Sequence, residues 1–137
     1  MSKIAVGDAD SLIALSYRKD ANHMKAKKVS EWLARNGFMV VYPNTAILEA
    51  ITTFKRVLTL SNEAQLLNKQ YLSGLFTVEY INGQIQFGAS QRFSQFVSKK
   101  NTIFDAVVAE TASWFGTEYI FSFDSLYPKL GFKLALE

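Results

Sequence analysis

The chain of 137 residues has no cysteine and one histidine, His23. The first absence removes thiol catalysis, thiolate zinc sites and disulfide frameworks together, and the second removes any multi-histidine metal centre. Long apolar runs are missing too. The longest, Phe38–Pro43, is far short of the ~18 residues a membrane helix needs. Met1-Ser2-Lys3-Ile4-Ala5-Val6 is too short and too quickly followed by acids for a signal peptide. These absences together fit a cytoplasmic protein with no membrane partner. Charge of one sign is scarce as well: 15 Lys and Arg face 12 Asp and Glu, and a net charge of +3 does not by itself argue for nucleic acid.

What is present is enough to fold. Hydrophobic residues make up 49% of the chain, and a chain of this length buries about two-thirds of its unfolded surface. There is no repeat, low-complexity stretch or linker, so residues 1–137 read as one domain. Strand-like runs at 3–7, 38–42, 76–81, 119–123 and 132–136 alternate with helical stretches at 11–18, 21–36, 45–58, 62–72, 84–99 and 103–115. Asp20 is a candidate N-cap and Gly37 a stop for the second helix. The alternation predicts an α/β domain around a mostly parallel sheet. In such a sheet, the carboxyl ends of strands and the amino ends of the following helices share the edge where ligands bind.

Acids collect on that edge. Asp8 and Asp10 follow the first strand, Glu49 lies in the opening turns of the helix after the second, Asp105 opens the helix at 103, and Asp124 follows the fourth strand. Carboxylates set among apolar residues are costly unless paired, hydrogen-bonded or bound to a metal. A hard divalent cation relieves their repulsion, and an oxygen-only donor set suits Mg²⁺ or Mn²⁺ rather than zinc. Such sites serve phosphoryl chemistry with one or two ions. Each acid also has a purely structural reading. Asp105 completes a capping box with Thr102, Asp10 is placed to N-cap a helix from Ser11, and Asp8 and Asp124 suit turns. Glu49 points away from the stripe of Ile47, Ile51, Phe54 and Leu58, as a solvated residue would.

Among the other polar residues, His23 reads as a packing or surface residue, and Lys25, Lys27 and Lys28 as a solvated helix face. Arg56, two turns beyond Glu49, and Lys99 and Lys100, just before the Asp105 helix, are candidate contacts for substrate phosphates. The 11 Phe are spread through the chain and read as core.

At these residues the sequence resembles the PIN-domain ribonucleases, in particular the toxins of type II toxin–antitoxin pairs. Four segments carry the resemblance in order along nearly the whole chain: Asp8-Ala9-Asp10-Ser11-Leu12, Pro43 through Glu49, Thr102-Ile103-Phe104-Asp105 through Ala112, and Ser122-Phe123-Asp124-Ser125-Leu126-Tyr127. Asp20, with His23 and Ala26, is similar to the second-helix segment. The resemblance implies a three-layer α/β/α fold with a five-stranded parallel sheet. It also implies a Mg²⁺ or Mn²⁺ site formed by Asp8, Glu49, Asp105 and Asp124, with Asp10 as an added ligand or water-positioning group. Ser122 stands where the family usually has Thr and is expected to orient Asp8. Tyr127 stands where the family has Phe, a change expected to matter little.

The function implied is metal-dependent endonucleolytic cleavage of single-stranded or looped RNA, by a homodimer held by a cognate antitoxin. A non-catalytic RNA- or protein-binding PIN module is the alternative. Asp8-Ala9-Asp10-Ser11-Leu12 is also similar to the opening motif of haloacid-dehalogenase-type phosphatases, whose first Asp is a nucleophile. That reading requires a Gly after the second Asp, a cap domain or a longer chain, and a later pair of acids, which are not found. Sorting the charges also changes the net +3: with the clustered acids neutralised by metal, the remaining surface is distinctly cationic.

Overall fold

The computed structural model describes residues 3–135, in which strands and helices alternate as the sequence predicts. Strands β1 (Lys3–Gly7), β2 (Phe38–Pro43), β3 (Thr77–Glu79), β4 (Tyr119–Phe121) and β5 (Lys133–Leu134) form a sheet in the order β3-β2-β1-β4-β5. Every neighbouring pair is parallel, so the expected mostly parallel sheet is wholly parallel. The predicted last strand extended to residue 136, which lies outside the described residues.

Side chains alternate across β1, and the alternation builds the layers. Ala5 packs with Ala26, Val29 and Leu33 of α2 (His23–Arg35), whereas Val6 packs with Val108, Ala109 and Ala112 of α6 (Ile103–Phe115). Ile120 and Phe121 divide in the same way on β4. Both faces of the sheet are therefore covered, as a parallel sheet requires, in a three-layer α/β/α arrangement. A third cluster joins Leu12 of α1 (Ala9–Ser16) and Tyr42 of β2 to Ile47 of α3 (Asn44–Thr52) and Leu67 of α4 (Ser61–Leu72). Helix α5 (Gly83–Phe93) is clasped to α6 by Arg92, whose guanidinium donates to Glu110 at 2.6 Å and to Ser113 at 2.7 Å.

Several boundaries differ from those predicted, each for a local reason. Helix α2 starts at His23 because the Asp20 carboxylate accepts from the Asn22 N–H at 2.8 Å, forming a turn before the helix. Helix α5 ends at Phe93, not Lys99. The Ser94 hydroxyl donates to the Gln91 carbonyl and Ser98 accepts from the Lys100 N–H, side-chain bonds that compete with the helical ladder. The helix expected to run to Leu58 widens into a π-helical turn over Thr53–Val57, in which the Leu58 N–H reaches the Thr53 carbonyl. A short helix, α7 (Leu126–Lys129), was not foreseen; four residues carry no periodicity.

The connections run from β1 to β2 and β3 on one side, then return to β4 and β5 on the other. The strand order therefore reverses between β1 and β4. In an open parallel sheet, this switch point leaves a crevice at the carboxyl ends of the two strands. Among the described residues, no helix is long and apolar enough to cross a membrane.

Candidate functional site

Asp8 sits at the switch point. Its N–H donates to the Phe121 carbonyl at 3.1 Å, tying the end of β1 to the end of β4. The residue before it, Gly7, is required by packing. A Cβ there would lie 2.1 Å from the Tyr42 ring, which covers the end of β1 and whose hydroxyl lies 3.3 Å from the Ser11 hydroxyl. Asp8 is also the N-cap of α1, with Oδ1 accepting from the Ala9 N–H at 2.6 Å.

This corrects the capping role considered for Asp10. The helix begins one residue after Asp8, and both the N–H and the hydroxyl of Ser11 bond to the Asp8 carbonyl. Asp10 falls within the first turn and reaches across to the loop after β4, where its Oδ2 accepts from the Ser122 hydroxyl at 2.8 Å and the Phe123 N–H at 2.9 Å. Two further corrections follow. Ser122 positions Asp10 rather than Asp8. The group that reaches Asp8 is Tyr127, which donates its hydroxyl to Oδ2 at 2.6 Å; the exchange of Phe for Tyr, expected to matter little, supplies a hydrogen bond. In the sequence, only the tyrosine itself, where a phenylalanine is expected, marks the position.

The other acids approach from separate elements. The Asp124 N–H donates to the Ser122 hydroxyl at 3.1 Å, and its Oδ1 accepts from the Leu126 N–H at 2.9 Å. Asp105 does complete the capping box at the start of α6, its Oδ2 accepting from the Thr102 N–H at 2.8 Å. It is nonetheless only 8% exposed, so capping and membership of the acidic cluster coexist. Glu49 is half-buried rather than solvated, and its Oε1 is enclosed without a hydrogen-bond partner among the described residues. The same holds for Asp10 Oδ1 and for the Thr45 hydroxyl, one helical turn before Glu49.

Burial and mutual repulsion raise the proton affinity of this group. Burial lifts Asp8 well above the ordinary carboxylate range, the Asp10 charge adds to it, and the Tyr127 hydrogen bond opposes it. Asp10 is raised by burial and, less, by Asp124, against the hydrogen bonds from Phe123 and Ser122. Glu49 is pushed up to about 7 by burial and then by Asp105 and Asp10. Asp105 is raised by burial and by Asp124, against the Thr102 N–H. Burial also raises the phenols of Tyr42, to about 12, and Tyr127. Among the described residues, however, no three of these acids close to the spacing of a ready-made metal cage. They share a field, and the charge of each raises the proton affinity of its neighbours.

The basic candidates stand apart. Arg56, Lys99 and Lys100 are exposed, and none forms an ion pair with the acids among the described residues. Arg56 lies in the π-helical turn, so the stripe carrying Glu49 does not continue unbroken to it. His23 holds the end of α1, with Nδ1 2.6 Å from the Ala14 carbonyl. Lys25 places its ammonium 5.5 Å from the centre of the Phe123 ring.

No family model matches the chain, and no curated protein matches it. Among solved structures it is similar to VapC20 of Mycobacterium tuberculosis, a toxin that cleaves the sarcin–ricin loop. The two share 21% sequence identity, and the likeness covers 96% of this chain and 97% of that one, with a TM-score of 0.80. Over that span, with five parallel strands in one sheet and acids at its switch point, the chain has a PIN-like fold.

Proposed function

We propose that the protein is a divalent-cation-dependent endoribonuclease and the toxin of a toxin–antitoxin pair. The observation that carries this reading is the pair of buried, unpartnered carboxylate oxygens, Asp10 Oδ1 and Glu49 Oε1. They belong to a cluster whose members raise one another's proton affinity. A cluster in that state accepts positive charge, as protons or as a hard cation.

The donors present fit Mg²⁺ or Mn²⁺, being oxygens throughout. Mg²⁺ needs no closed protein cage, because it commonly keeps several waters and takes one or two carboxylates together with substrate oxygens. Asp8, Glu49, Asp105 and Asp124, with Asp10 as a further ligand, would hold one or two ions. When bound, the cation supplies water activation and charge neutralisation for in-line displacement at a phosphodiester, leaving 5′-phosphate and 3′-hydroxyl ends. The chain's own groups keep the acids in place. Ser122 and the Phe123 N–H hold Asp10, and the Thr102 N–H holds Asp105. Glu49 carries no such donor on Oε1, which leaves that oxygen free to adjust to a ligand.

Likeness of fold to a toxin that cleaves an RNA loop supports single-stranded or looped RNA as the substrate class. Arg56, Lys99 and Lys100 are exposed cations suited to backbone phosphates. A homodimer and a cognate antitoxin protein complete the reading.

The test is incubation of the purified chain with a pool of cellular RNAs and Mg²⁺ or Mn²⁺, beside EDTA and the variants Asp8→Asn and Asp105→Asn. Cleavage that needs the cation and disappears in both variants is expected. Cleavage surviving both variants would overturn the site. RNA binding without cleavage of any RNA, while the cation binds, would favour a non-catalytic module.

A further inference from the structure

We propose that Tyr127 is a positioning residue of the acidic site, its phenolic hydroxyl fixing the Asp8 carboxylate in the orientation that binds the divalent cation. This rests on the reading of the site given above.

The geometry is specific. Tyr127 is fully buried, Asp8 is 5% exposed, and their 2.6 Å hydrogen bond links positions 119 residues apart. The ring itself is accounted for by the core, where it packs with Val6, Val108 and Leu134. Phenylalanine would fill that space equally well. The hydroxyl is not accounted for by packing, since burying it has a cost that only a partner offsets. Its partner is the acid at the switch point.

The bond also determines what Asp8 can offer. Oδ1 accepts from the Ala9 N–H and Oδ2 from Tyr127, so the carboxylate is held at both ends against rotation. Each carboxylate oxygen has two acceptor directions, so one on each remains for a cation or its waters. Tyr127 also reports on a second acid. It lies in α7, where the Leu126 N–H donates to Asp124 Oδ1 and the Tyr127 N–H to the Asp124 carbonyl. One four-residue helix thus sets the spacing between Asp8 and Asp124, and the hydroxyl is its contact with Asp8. Donors that orient metal ligands in this way are commonly worth 10–100-fold in metal affinity.

The experiment measures Mn²⁺ binding by electron paramagnetic resonance in the wild type, Tyr127→Phe and Asp8→Asn, with thermal melts alongside. Tyr127→Phe is expected to bind Mn²⁺ about 10-fold or more weakly while still melting cooperatively. Addition of Mg²⁺ to the wild type is expected to perturb a tyrosine in the near-ultraviolet spectrum, and Tyr127→Phe to lose that signal. A variant that melts lower but binds Mn²⁺ as tightly as the wild type would show a packing role and overturn the proposal alone. Wild-type protein that binds no Mn²⁺ would overturn the reading of the site with it. Should Tyr127→Phe fail to fold, the wild-type spectrum decides, and the absence of a tyrosine signal on adding Mg²⁺ overturns the proposal.

Discussion

Ser122 donates its hydroxyl to Asp10 at 2.8 Å and accepts the Asp124 N–H on the same oxygen at 3.1 Å. One buried hydroxyl thus joins the first turn of α1 to the loop after β4, across 112 residues of sequence. Ser122→Ala leaves the Asp124 N–H without that acceptor and Asp10 Oδ2 with a single donor. It is expected to lower stability by about 1–3 kcal/mol in urea denaturation, whereas Ser122→Thr, which keeps the hydroxyl, should recover most of the loss.

Glu49 contributes charge to the cluster and, among the described residues, has no partner for its buried oxygen. Glu49→Gln removes the repulsion while keeping the shape. Without added cation, the variant should melt at a higher temperature than the wild type near neutral pH, and Mn²⁺ should raise its melting temperature less. A variant of unchanged or lower stability under those conditions would show that repulsion at Glu49 is not a net cost.

The raised carboxylates determine the direction of the pH dependence. Glu49 titrates near 7 in the folded chain against an ordinary value of 4.5, so over that interval the folded state binds more protons than the unfolded one. Stability without cation should therefore be greatest on the acid side of this window and fall as pH rises through it. Asp8, Asp10 and Asp105 are shifted in the same direction and reinforce the trend. Mg²⁺ or Mn²⁺ competes with protons for these oxygens, so its stabilising effect should grow with pH. Melting curves across the window, with and without cation, check both slopes.

Gly7→Ala tests the packing that holds the crevice. The added Cβ would meet the Tyr42 ring 2.1 Å away, and that ring is buried between β2 and α1. Overpacking of this kind costs about 1–3 kcal/mol, so a lower denaturation midpoint is expected. Gly37→Ala is a useful contrast. Gly37 has φ +78° and, among the described residues, open space around it, so backbone strain rather than a clash would account for its loss.

Much of the molecule was legible in its residues because the signals are local. Apolar runs of strand length between amphipathic stretches predicted five strands and the helix over 103–115, which the structure reproduces residue for residue as α6. The Thr102–Asp105 capping box lies within four consecutive residues and was equally readable. Where neighbouring side chains compete for the same backbone groups, local reading was less sure. Asp10 reads as the cap of a helix from Ser11 and Asp8 as a turn residue, but the cap is Asp8, because α1 starts two residues earlier, immediately after it.

The pattern of residues accordingly decided the class of fold and the placing of acids at strand and helix ends. Only the folded sheet decided that β4 lies beside β1, and hence that Asp8 meets Tyr127 and Asp10 meets Ser122. Those pairings span more than a hundred residues and leave no mark in any local window. They arise from strand order and layer packing, which also bury the carboxylates and press their charges together.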